Sequence, residues 1–353
     1  MRVLHLPENI ASQIQVSVRA LRKAGVEARG LVLNPKSIQS SEGLEILITA
    51  GSKRRKLAAI PTVFAAIHWA DVLHWHYGAT ALPYQLDYHW ARLLKKPGIV
   101  QFWGSDIRIA EVESRDNPIY AEARRQGHFH LPDRADESLA RQQRFAAAGY
   151  TCIIADRILL QYVQHDLFSQ VFVVPQLVDL ADYEPGFPAA AVERPVIAHS
   201  PSRPAEKGTP AVLAAIEALQ SRCAFDFRLI TGVERRRALQ MMREADIFID
   251  QLIAGAHGLA ALEAMALGKP VVCYIKPSNA QRYPPDLPVV NATAESLVEV
   301  LGGLLANGAR RNRLGRRGRA YVEKYHAADQ VAQQLNGIYL GLLEGKRGQL
   351  GRR

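Results

Sequence analysis

The sequence predicts an α/β protein built from two doubly wound, Rossmann-like domains. Short apolar runs rich in β-branched residues alternate with longer segments of helical period, which is the pattern of a parallel sheet with crossover helices. The alternation stops at 176–195, a stretch that holds three prolines among small and acidic residues, and then restarts. The chain of 353 residues also exceeds the size at which a single hydrophobic core stops growing.

The first predicted domain spans residues 1–175. Its strands are predicted at 3–6, 30–34, 45–49, 71–76, 98–103, 151–155 and 171–175. The first helix carries three aliphatic side chains on one face and ends before Gly25. A later helix, 82–95, begins beside Pro83 and ends before a Pro-Gly pair, so both of its boundaries carry the expected signals.

A linker at 176–195 leads to a second domain at 196–326. Its strands are predicted at 196–200, 225–230, 246–251 and 270–275, and its helices at 208–221, 234–245 and 258–267. The C-terminal segment 327–353 contains a further helix and a basic tail. This helix has one apolar stripe, which must pack against another apolar surface; the stripe comprises Val331, Leu335, Ile338 and Leu342.

Composition and charge restrict the class of protein. The formal net charge is +10, but the basic residues are scattered and no nucleic-acid-binding module is present, so we expect no nucleic-acid partner. The excess charge predicts attraction to phosphates or to an anionic membrane face. The three cysteines form no C-x-x-C pair, and no segment reads as a signal peptide or a membrane span. We therefore expect a cytoplasmic protein, with peripheral contact to the inner face of the membrane as a further possibility.

The segment 258–272, GLAALEAMALGKPVV, is the most informative part of the chain. A helix that begins at Gly258 directs its free N–H groups and the positive end of its dipole towards the ligand side of the sheet, where phosphate binds readily. Glu263 lies on this helix, where its carboxylate could accept two ribose hydroxyls. A core helix with one solvated glutamate remains the equal alternative.

The segment 198–209, AHSPSRPAEKGT, reads as a strand, a polar loop and a helix start. Lys207 could neutralise a diphosphate there, with Ser200, Ser202 or Arg203 as hydrogen-bond donors. Basic loops are common, but this loop and the Gly258 loop occupy the same topological place in the sheet. The chain has neither G-x-G-x-x-G nor a Walker A sequence, so dinucleotide and NTPase chemistry lack support.

Two strand ends in the first half carry polar residues that could act on an acceptor. His74 and His76 alternate with Trp75 and point to one side of a strand, but no third zinc ligand at a plausible spacing is evident. His76, or Asp106 after a Gly-Ser turn, could orient or deprotonate an acceptor hydroxyl. For Asp106 a loop cap paired with Arg108 is the equal alternative.

The chain resembles the bacterial retaining glycosyltransferases of family 4, the glycosyl transferases group 1. LEAMALGKPVV, AEKGT and VVPQLVDLADYEP carry the resemblance, which covers nearly the whole sequence. It implies the GT-B fold, in which two Rossmann-like domains face each other across a cleft and a C-terminal helix returns to the N-terminal domain. It also implies that Glu263 holds the donor ribose, that Gly258 and Leu259 present backbone N–H groups to the donor, and that Lys207 contacts the diphosphate.

The sequence departs from this family at three places. Gly255 stands where the first glutamate of the E-x7-E motif is usual, with His257 as a conceivable substitute. Trp103 stands where a histidine usually precedes the Gly-Ser-Asp turn, and His76 is a candidate replacement. The strand and loop that usually cradle the nucleobase are shortened, which leaves Gly232 and Val233 as the nearest candidates. A diverged subgroup found among bacterial surface-polysaccharide proteins looks more similar than the family average.

These observations predict a hexosyltransferase-like enzyme that moves a sugar from a nucleotide-diphosphate sugar to a hydroxyl acceptor, which could be a glycan, a lipid-linked molecule or a small molecule. We expect neither a cofactor nor a metal, because D-x-D is absent and helix N-termini with Lys207 can supply the positive charge. Retention of the anomeric configuration is implied by the resemblance. One alternative is a non-catalytic GT-B partner subunit that binds a nucleotide or glycan, favoured by the changes at Gly255 and Trp103. Another is a sugar-nucleotide epimerase.

Overall fold

The computed structural model describes residues 1–34, 40–48, 52–129 and 135–350. The strands are β1 (Arg2–Leu6), β2 (Glu27–Leu33), β3 (Glu45–Leu47), β4 (Val72–His76), β5 (Gly98–Phe102), β6 (Thr151–Ile154), β7 (Val171–Val173), β8 (Val196–His199), β9 (Asp226–Leu229), β10 (Ile247–Ile249), β11 (Val271–Cys273) and β12 (Val290–Asn291). The α-helices are α1 (Gln13–Lys23), α2 (Lys53–Ala58), α3 (Ile60–Trp69), α4 (Leu86–Leu93), α5 (Ala110–Asp116), α6 (Pro118–Arg125), α7 (Ala135–Ala147), α8 (Pro204–Lys207), α9 (Thr209–Gln220), α10 (Arg235–Arg243), α11 (Leu259–Ala266), α12 (Pro277–Ala280), α13 (Leu297–Leu305), α14 (Gly308–Tyr325) and α15 (Ala328–Leu350).

The chain folds into two compact units, each built on its own sheet. Unit 1 comprises Met1–Ile109, Arg134–Asp179 and Ala328–Arg353, and unit 2 comprises Ala110–Asp133 and Leu180–Ala327. The sheet of unit 1 has seven strands in the order β3-β2-β1-β4-β5-β6-β7, and that of unit 2 has five in the order β12-β11-β10-β8-β9. All strand pairs are parallel, as the predicted alternation of strands and helices requires.

The helix α15 completes the core of unit 1. Val331 and Leu335 are 2% and 0% exposed, and they pack in one cluster with residues of β1 and α1, while Ile338 and Leu342 lie partly buried against it. This contact confirms that the C-terminal helix returns to the N-terminal domain, and it explains the apolar stripe that the sequence shows.

Helices α5 and α6 belong to unit 2, although the sequence-based division at residue 175 places them in the N-terminal domain. The physical reason is a buried ion-pair network. Lys276 is fully buried, and its Nζ lies 3.0 Å from Glu113 and 2.7 Å from Asp116. Asn117 also donates a hydrogen bond to the carbonyl of Ile253. A buried ammonium group requires such partners, and they come from a segment 160 residues earlier in the chain.

The predicted elements agree closely with the observed ones. The strand predicted at 45–49 covers β3, with its last residue outside the described part of the chain, and the helix predicted at 82–95 forms α4 after a short 3₁₀ turn at Pro83–Gln85. The strand β12 and the helices α2, α3, α5–α8 and α12–α14 were not predicted individually.

Candidate functional site

Three loops follow the carboxyl ends of neighbouring strands in unit 2. They follow β8, β9 and β10, which stand side by side in the sheet, and each leads into a helix. In a parallel sheet this edge is where ligands bind. The loops after β8 and β10 are joined directly, because the N–H of Leu252 donates to the carbonyl of Lys207 at 3.1 Å.

Lys207 and Gly258 come together around Asp250 at this edge. Lys207 Nζ lies 3.4 Å from Asp250 Oδ1, and the N–H of Gly258 donates to Asp250 Oδ2 at 2.6 Å. The Asp250 side chain is 2% exposed, whereas that of Lys207 is 27% exposed. The ammonium group therefore lies beside the N-terminus of α11 and remains accessible to a ligand.

Position 258 is closely surrounded by Lys207 and Asp250. A Cβ atom there would lie 3.2 Å from Lys207 Nζ and 3.4 Å from the Asp250 carboxylate. The Gly258 N–H is already used, because it donates to Asp250. Of the two backbone donors predicted at this helix start, the Leu259 N–H therefore remains. Asp250 was not predicted as a site residue; its signal in the sequence is an acid placed directly after a buried apolar strand.

Glu263 lies on α11 and is held by two partners. Its Oε1 accepts hydrogen bonds from the Tyr183 hydroxyl at 2.9 Å and from Arg235 at 2.6 Å. The carboxylate is thus neither a solvated core-helix residue nor an unpartnered one. Burial, and then the Glu263 charge, raises the pKa of Tyr183 well above its usual value, so this hydroxyl stays a neutral donor. Both hydrogen bonds use the same carboxylate oxygen, Oε1.

The remaining donor-site candidates lie on the same loops. Ser202 and Arg203 follow β8 and are exposed, and Arg203 pairs with Glu206 at 3.1 Å. Gly232 and Val233 follow β9 and precede Arg235 in sequence.

His257 precedes Gly258, and its ring stacks on Tyr283 with centroids 4.7 Å apart. Neither ring nitrogen of His257 has a hydrogen-bond partner within the part of the chain that the structure describes. Burial lowers the pKa of this imidazole, so it is neutral.

Gly255 has no room for the glutamate that the E-x7-E motif would place there. Its φ is +66°, and a Cβ atom would lie 2.9 Å from Lys276 Cγ and 3.1 Å from Asn117 Nδ2. The buried Lys276 network therefore fills the space of the missing side chain. A glutamate at position 255 would have to displace Lys276 and adopt a strained backbone.

Asp106 closes the turn after β5 in unit 1. Its carboxylate accepts hydrogen bonds from the N–H groups of Trp103 at 3.0 Å and of Gly104 at 2.7 Å, and the side chain is 1% exposed. Burial raises the pKa of Asp106 to about 6, although these N–H groups oppose the shift. Asp106 therefore caps the loop, which was the alternative expected from the sequence. The hydrogen bonds that cap it come from the backbone N–H groups of Trp103 and Gly104.

A chain of hydrogen bonds runs through His76 behind this turn. Trp103 Nε1 donates to His76 Nδ1 at 3.2 Å, and His76 Nε2 lies 2.9 Å from His5 Nδ1. Tyr339 of α15 connects the other two histidines, since its hydroxyl lies 3.3 Å from His5 Nε2 and 2.7 Å from His74 Nδ1. His5 was missed in the sequence because only the register of β1 on β4 places it opposite His74.

The direction of this chain follows from the chemistry of its first donor. An indole N–H can only donate, so His76 Nδ1 accepts and its proton is on Nε2. By the same argument, His76 Nε2 donates to His5 Nδ1 and His5 Nε2 donates to the Tyr339 hydroxyl. The Tyr339 hydroxyl in turn donates to His74 Nδ1. Each histidine is neutral, because burial lowers the pKa of His5 to about 3 and those of His74 and His76 well below their usual value.

The three histidines lie close enough together to suggest a metal site, with ligand atoms within 4.8 Å of one another. His5 is thus the third histidine that the spacing along the chain did not reveal. The rings of His74 and His76, however, are stacked 4.4 Å apart and only 16° from parallel. Imidazole lone pairs lie in the ring plane, so stacked rings do not direct two nitrogens at one ion. The hydrogen-bonded chain describes this cluster better than a tetrahedral metal site does.

We expect this histidine chain to make unit 1 acid-labile. The folded state keeps three histidines neutral while the unfolded chain protonates them near pH 6.5, so their contribution is present above that pH and is lost as pH falls. Asp106 acts in the opposite sense, because its raised pKa stabilises the folded state as pH falls below about 6. The balance of three groups against one lowers the free energy of unfolding by about 2–3 kcal/mol per pH unit between pH 6 and 5.

Urea unfolding across this pH range measures the slope. His5→Gln should flatten it by about half, since the net of two groups falls to one. His89→Gln, which changes an exposed histidine on α4, should leave it unchanged. An equal slope in the His5→Gln variant would contradict the assignment.

Comparisons with known proteins agree with this architecture. Residues 216–337 match the family model described as glycosyl transferase-like. No curated protein matches the sequence. Sucrose-phosphate synthase of Thermosynechococcus elongatus superimposes with a TM-score of 0.64 at 14% identity, covering 98% of this chain and 100% of that one. HepE of Anabaena, solved with UDP and glucose, gives a TM-score of 0.61 at 10% identity over 97% of this chain and 100% of its own.

A third similar structure is WaaG, a glycosyltransferase involved in lipopolysaccharide biosynthesis. Its TM-score is 0.57 at 13% identity, with 96% of this chain and 100% of that chain covered. Together with the two parallel sheets and the returning helix α15, these likenesses confirm the predicted GT-B fold. No helix within the described residues is long and apolar enough to cross a membrane.

Proposed function

We propose that this protein is a glycosyltransferase that moves a sugar from a nucleotide-diphosphate sugar to a hydroxyl group. The observation that carries the proposal is that two polar clusters adjoin α11, one around Lys207 at its start and one around Glu263 further along it. Lys207 lies beside the start of this helix, and Glu263 follows five residues after Gly258, about 7 Å further along the axis. A diphosphate at the helix N-terminus and a ribose at the carboxylate fit this spacing.

The comparisons support the same ligand class. The HepE structures of Anabaena were solved with UDP, with UDP and glucose, and with UDP-glucose. In the proposed site Lys207 and the Leu259 N–H contact the diphosphate, and Glu263 Oε2 accepts a ribose hydroxyl. Ser202, Arg203 and His257 lie on the loops that surround the sugar and phosphates, and Gly232 with Val233 borders the nucleobase.

We also propose the family, the stereochemistry and the cellular role of the enzyme. Membership of family 4, retention of the anomeric configuration and a role in bacterial surface-polysaccharide synthesis rest on the sequence resemblance. A cytoplasmic location with contact to an anionic membrane rests on the net charge of +10. Asp106 and His76 are both buried, so we propose that they position the Trp103 turn near the acceptor.

A cavity of about 400 Å³ in unit 1 is the proposed acceptor site. It lies beside the Trp103 turn, since Tyr77 lines it and bonds to Ser105 at 2.8 Å. Its polar lining includes Thr80, Gln85, Glu137, Arg141 and Arg144. Hydroxyl, amide, carboxylate and guanidinium groups of this kind are suited to hydrogen bonding with a sugar or a phosphate.

A non-catalytic binding subunit is the second candidate, and one observation favours it. Lys276 fills the space at Gly255, so the acidic contact to the donor sugar is lost. Donor binding and turnover separate the two functions. A thermal-shift screen against UDP, GDP, ADP and their sugars should find one ligand that adds about 2.7 kcal/mol of stability at 100 times its Kd.

The same ligand is then tested for sugar transfer and hydrolysis. Turnover supports the transferase, whereas binding without turnover supports the subunit. Isolation of an isomerised sugar nucleotide would instead support an epimerase. No shift with any nucleotide would overturn the site.

We expect chelators to leave this activity unchanged. Lys207 and the helix N-terminus supply the positive charge that a metal would otherwise provide to the leaving diphosphate. Transfer is measured before and after EDTA treatment, with Mg²⁺ or Mn²⁺ added back to separate samples. Loss of activity that either ion restores would contradict the metal-independent mechanism.

A further inference from the structure

The outer surface of α2, α3, α4 and the 3₁₀ turn Pro83–Gln85 before α4 exposes large apolar side chains. Leu57 is 62% exposed, Tyr84 90% and Leu93 71%, and Leu86 is 37% exposed. Single exposed apolar residues are ordinary, but several on adjoining helices indicate an interaction surface. We call this surface the α2–α4 face.

The apolar side chains on the α2–α4 face are joined into one surface. Helices α2 and α3 meet at Ala59, whose φ of −75° and ψ of −19° are helical, so Leu57 and Phe64 lie seven residues apart on the same side. The ring of Phe64 stacks on Trp90 of α4, with centroids 4.8 Å apart and planes within 4°. Leu86 and Leu93 flank Trp90 at helical spacing on α4.

The same face is positively charged. Residues 52–70 contain no acidic side chain, and the exposed residues at the start of α2 are Arg54, Arg55 and Lys56. No described acidic side chain forms an ion pair with these three. The two acidic residues between 52 and 96 are engaged elsewhere, since Asp71 pairs with Arg2 and Asp87 is buried. Arg92 and Lys95 add exposed basic groups at the end of α4.

We propose that the α2–α4 face docks on the surface of an anionic lipid bilayer. Leucine and aromatic side chains enter the boundary between headgroups and acyl chains, while the neighbouring lysines and arginines contact anionic lipids. Charge complementarity selects this partner, because the face combines apolar area with basic groups and lacks exposed acids. The inference rests on the proposed function only in that it specifies the membrane contact named there.

The position of the face has a consequence for the acceptor. Gln85, which lines the cavity of about 400 Å³, lies between Tyr84 and Leu86 of the face. A protein docked in this way holds the cavity at the level of the lipid headgroups. A lipid-linked acceptor would then be within reach of the cavity.

Vesicle flotation tests the docking without any sugar nucleotide. The wild-type chain should float with phosphatidylglycerol–phosphatidylcholine vesicles and remain behind with phosphatidylcholine alone. The triple variant Arg54→Gln, Arg55→Gln, Lys56→Gln should lower the partition coefficient about 100-fold. The double variant Leu57→Ser, Leu93→Ser, which keeps every charge, should lower it about tenfold or more.

A matched variant separates this face from net charge. Arg313→Gln, Arg316→Gln, Arg317→Gln removes the same charge from exposed positions on α14 in unit 2, and its partition coefficient should stay close to wild type. An equal fall of the partition coefficient in this control would overturn the assignment. Failure of the wild-type protein to bind anionic vesicles would do the same. Because the leucine pair and the basic triple are independent, misfolding of one variant leaves the other as the test. Failure here leaves nucleotide binding, and so the proposed function, untouched.

Discussion

Replacing Lys207 with alanine is expected to lower kcat about 100-fold while donor affinity falls much less. The negative charge of the leaving nucleotide diphosphate grows as the glycosidic bond breaks, so an ammonium group at this place holds the transition state more tightly than the ground state. Only such differential binding accelerates the chemical step. Initial-rate kinetics with saturating donor measure kcat, and titration with the intact donor measures affinity.

Two controls make the Lys207 result specific. Lys207→Ala leaves the buried Asp250 without its cation, so thermal unfolding must show that the variant is folded at the assay temperature. Lys324→Ala removes another ion-paired lysine of unit 2, 3.0 Å from Asp286, and should leave kcat unchanged. Full kcat together with full affinity in Lys207→Ala would mean that the lysine binds only Asp250, and the phosphate site would be refuted.

Replacing Glu263 with alanine is expected to raise the Kd of the nucleotide by about 10- to 150-fold. A carboxylate that accepts hydroxyl hydrogen bonds contributes about 1.5–3 kcal/mol. The wild-type protein should also bind 2′-deoxy or 3′-deoxy analogues of the same nucleotide more weakly than the parent. Glu263→Ala should lose this discrimination, which calorimetric titration with the parent and the analogues detects.

Tyr183→Phe is the matched control for Glu263. It removes one hydrogen bond to Oε1 and leaves the carboxylate in place. We expect a small loss of stability with nucleotide discrimination retained, because Arg235 still holds the same oxygen at 2.6 Å. A folded Glu263→Ala variant with unchanged Kd would show that Glu263 serves only its pairing with Arg235.

The fold was predictable because its signals are local. Apolar runs, glycine and proline boundaries and the stripe on α15 each lie within a few residues of the element they specify. Lys207 and Gly258 could be predicted for a related reason, since both follow buried strands and parallel strands bring their carboxyl ends to one edge. A local pattern combined with sheet topology was therefore enough to predict that these two residues lie together.

The partners of these residues could not be predicted because they come from distant parts of the chain. Tyr183 reaches Glu263 across 80 residues, and Lys276 reaches Glu113 across 163. His5 meets His76 across 71 residues, through strand register. No periodicity encodes such pairs; they depend on how the finished structure satisfies buried charges and polar groups.

The division of the chain between the units sets an order of folding during synthesis. Unit 2 is complete once residue 327 has left the ribosome, whereas the core of unit 1 still lacks Val331 and Leu335 at that moment. Domains usually fold from the N-terminus onward as they emerge. Here the sheet of unit 1 is synthesised first but lacks its covering helix α15 until unit 2 has also been synthesised. Its uncovered apolar face is therefore the surface that a ribosome-associated chaperone would protect longest.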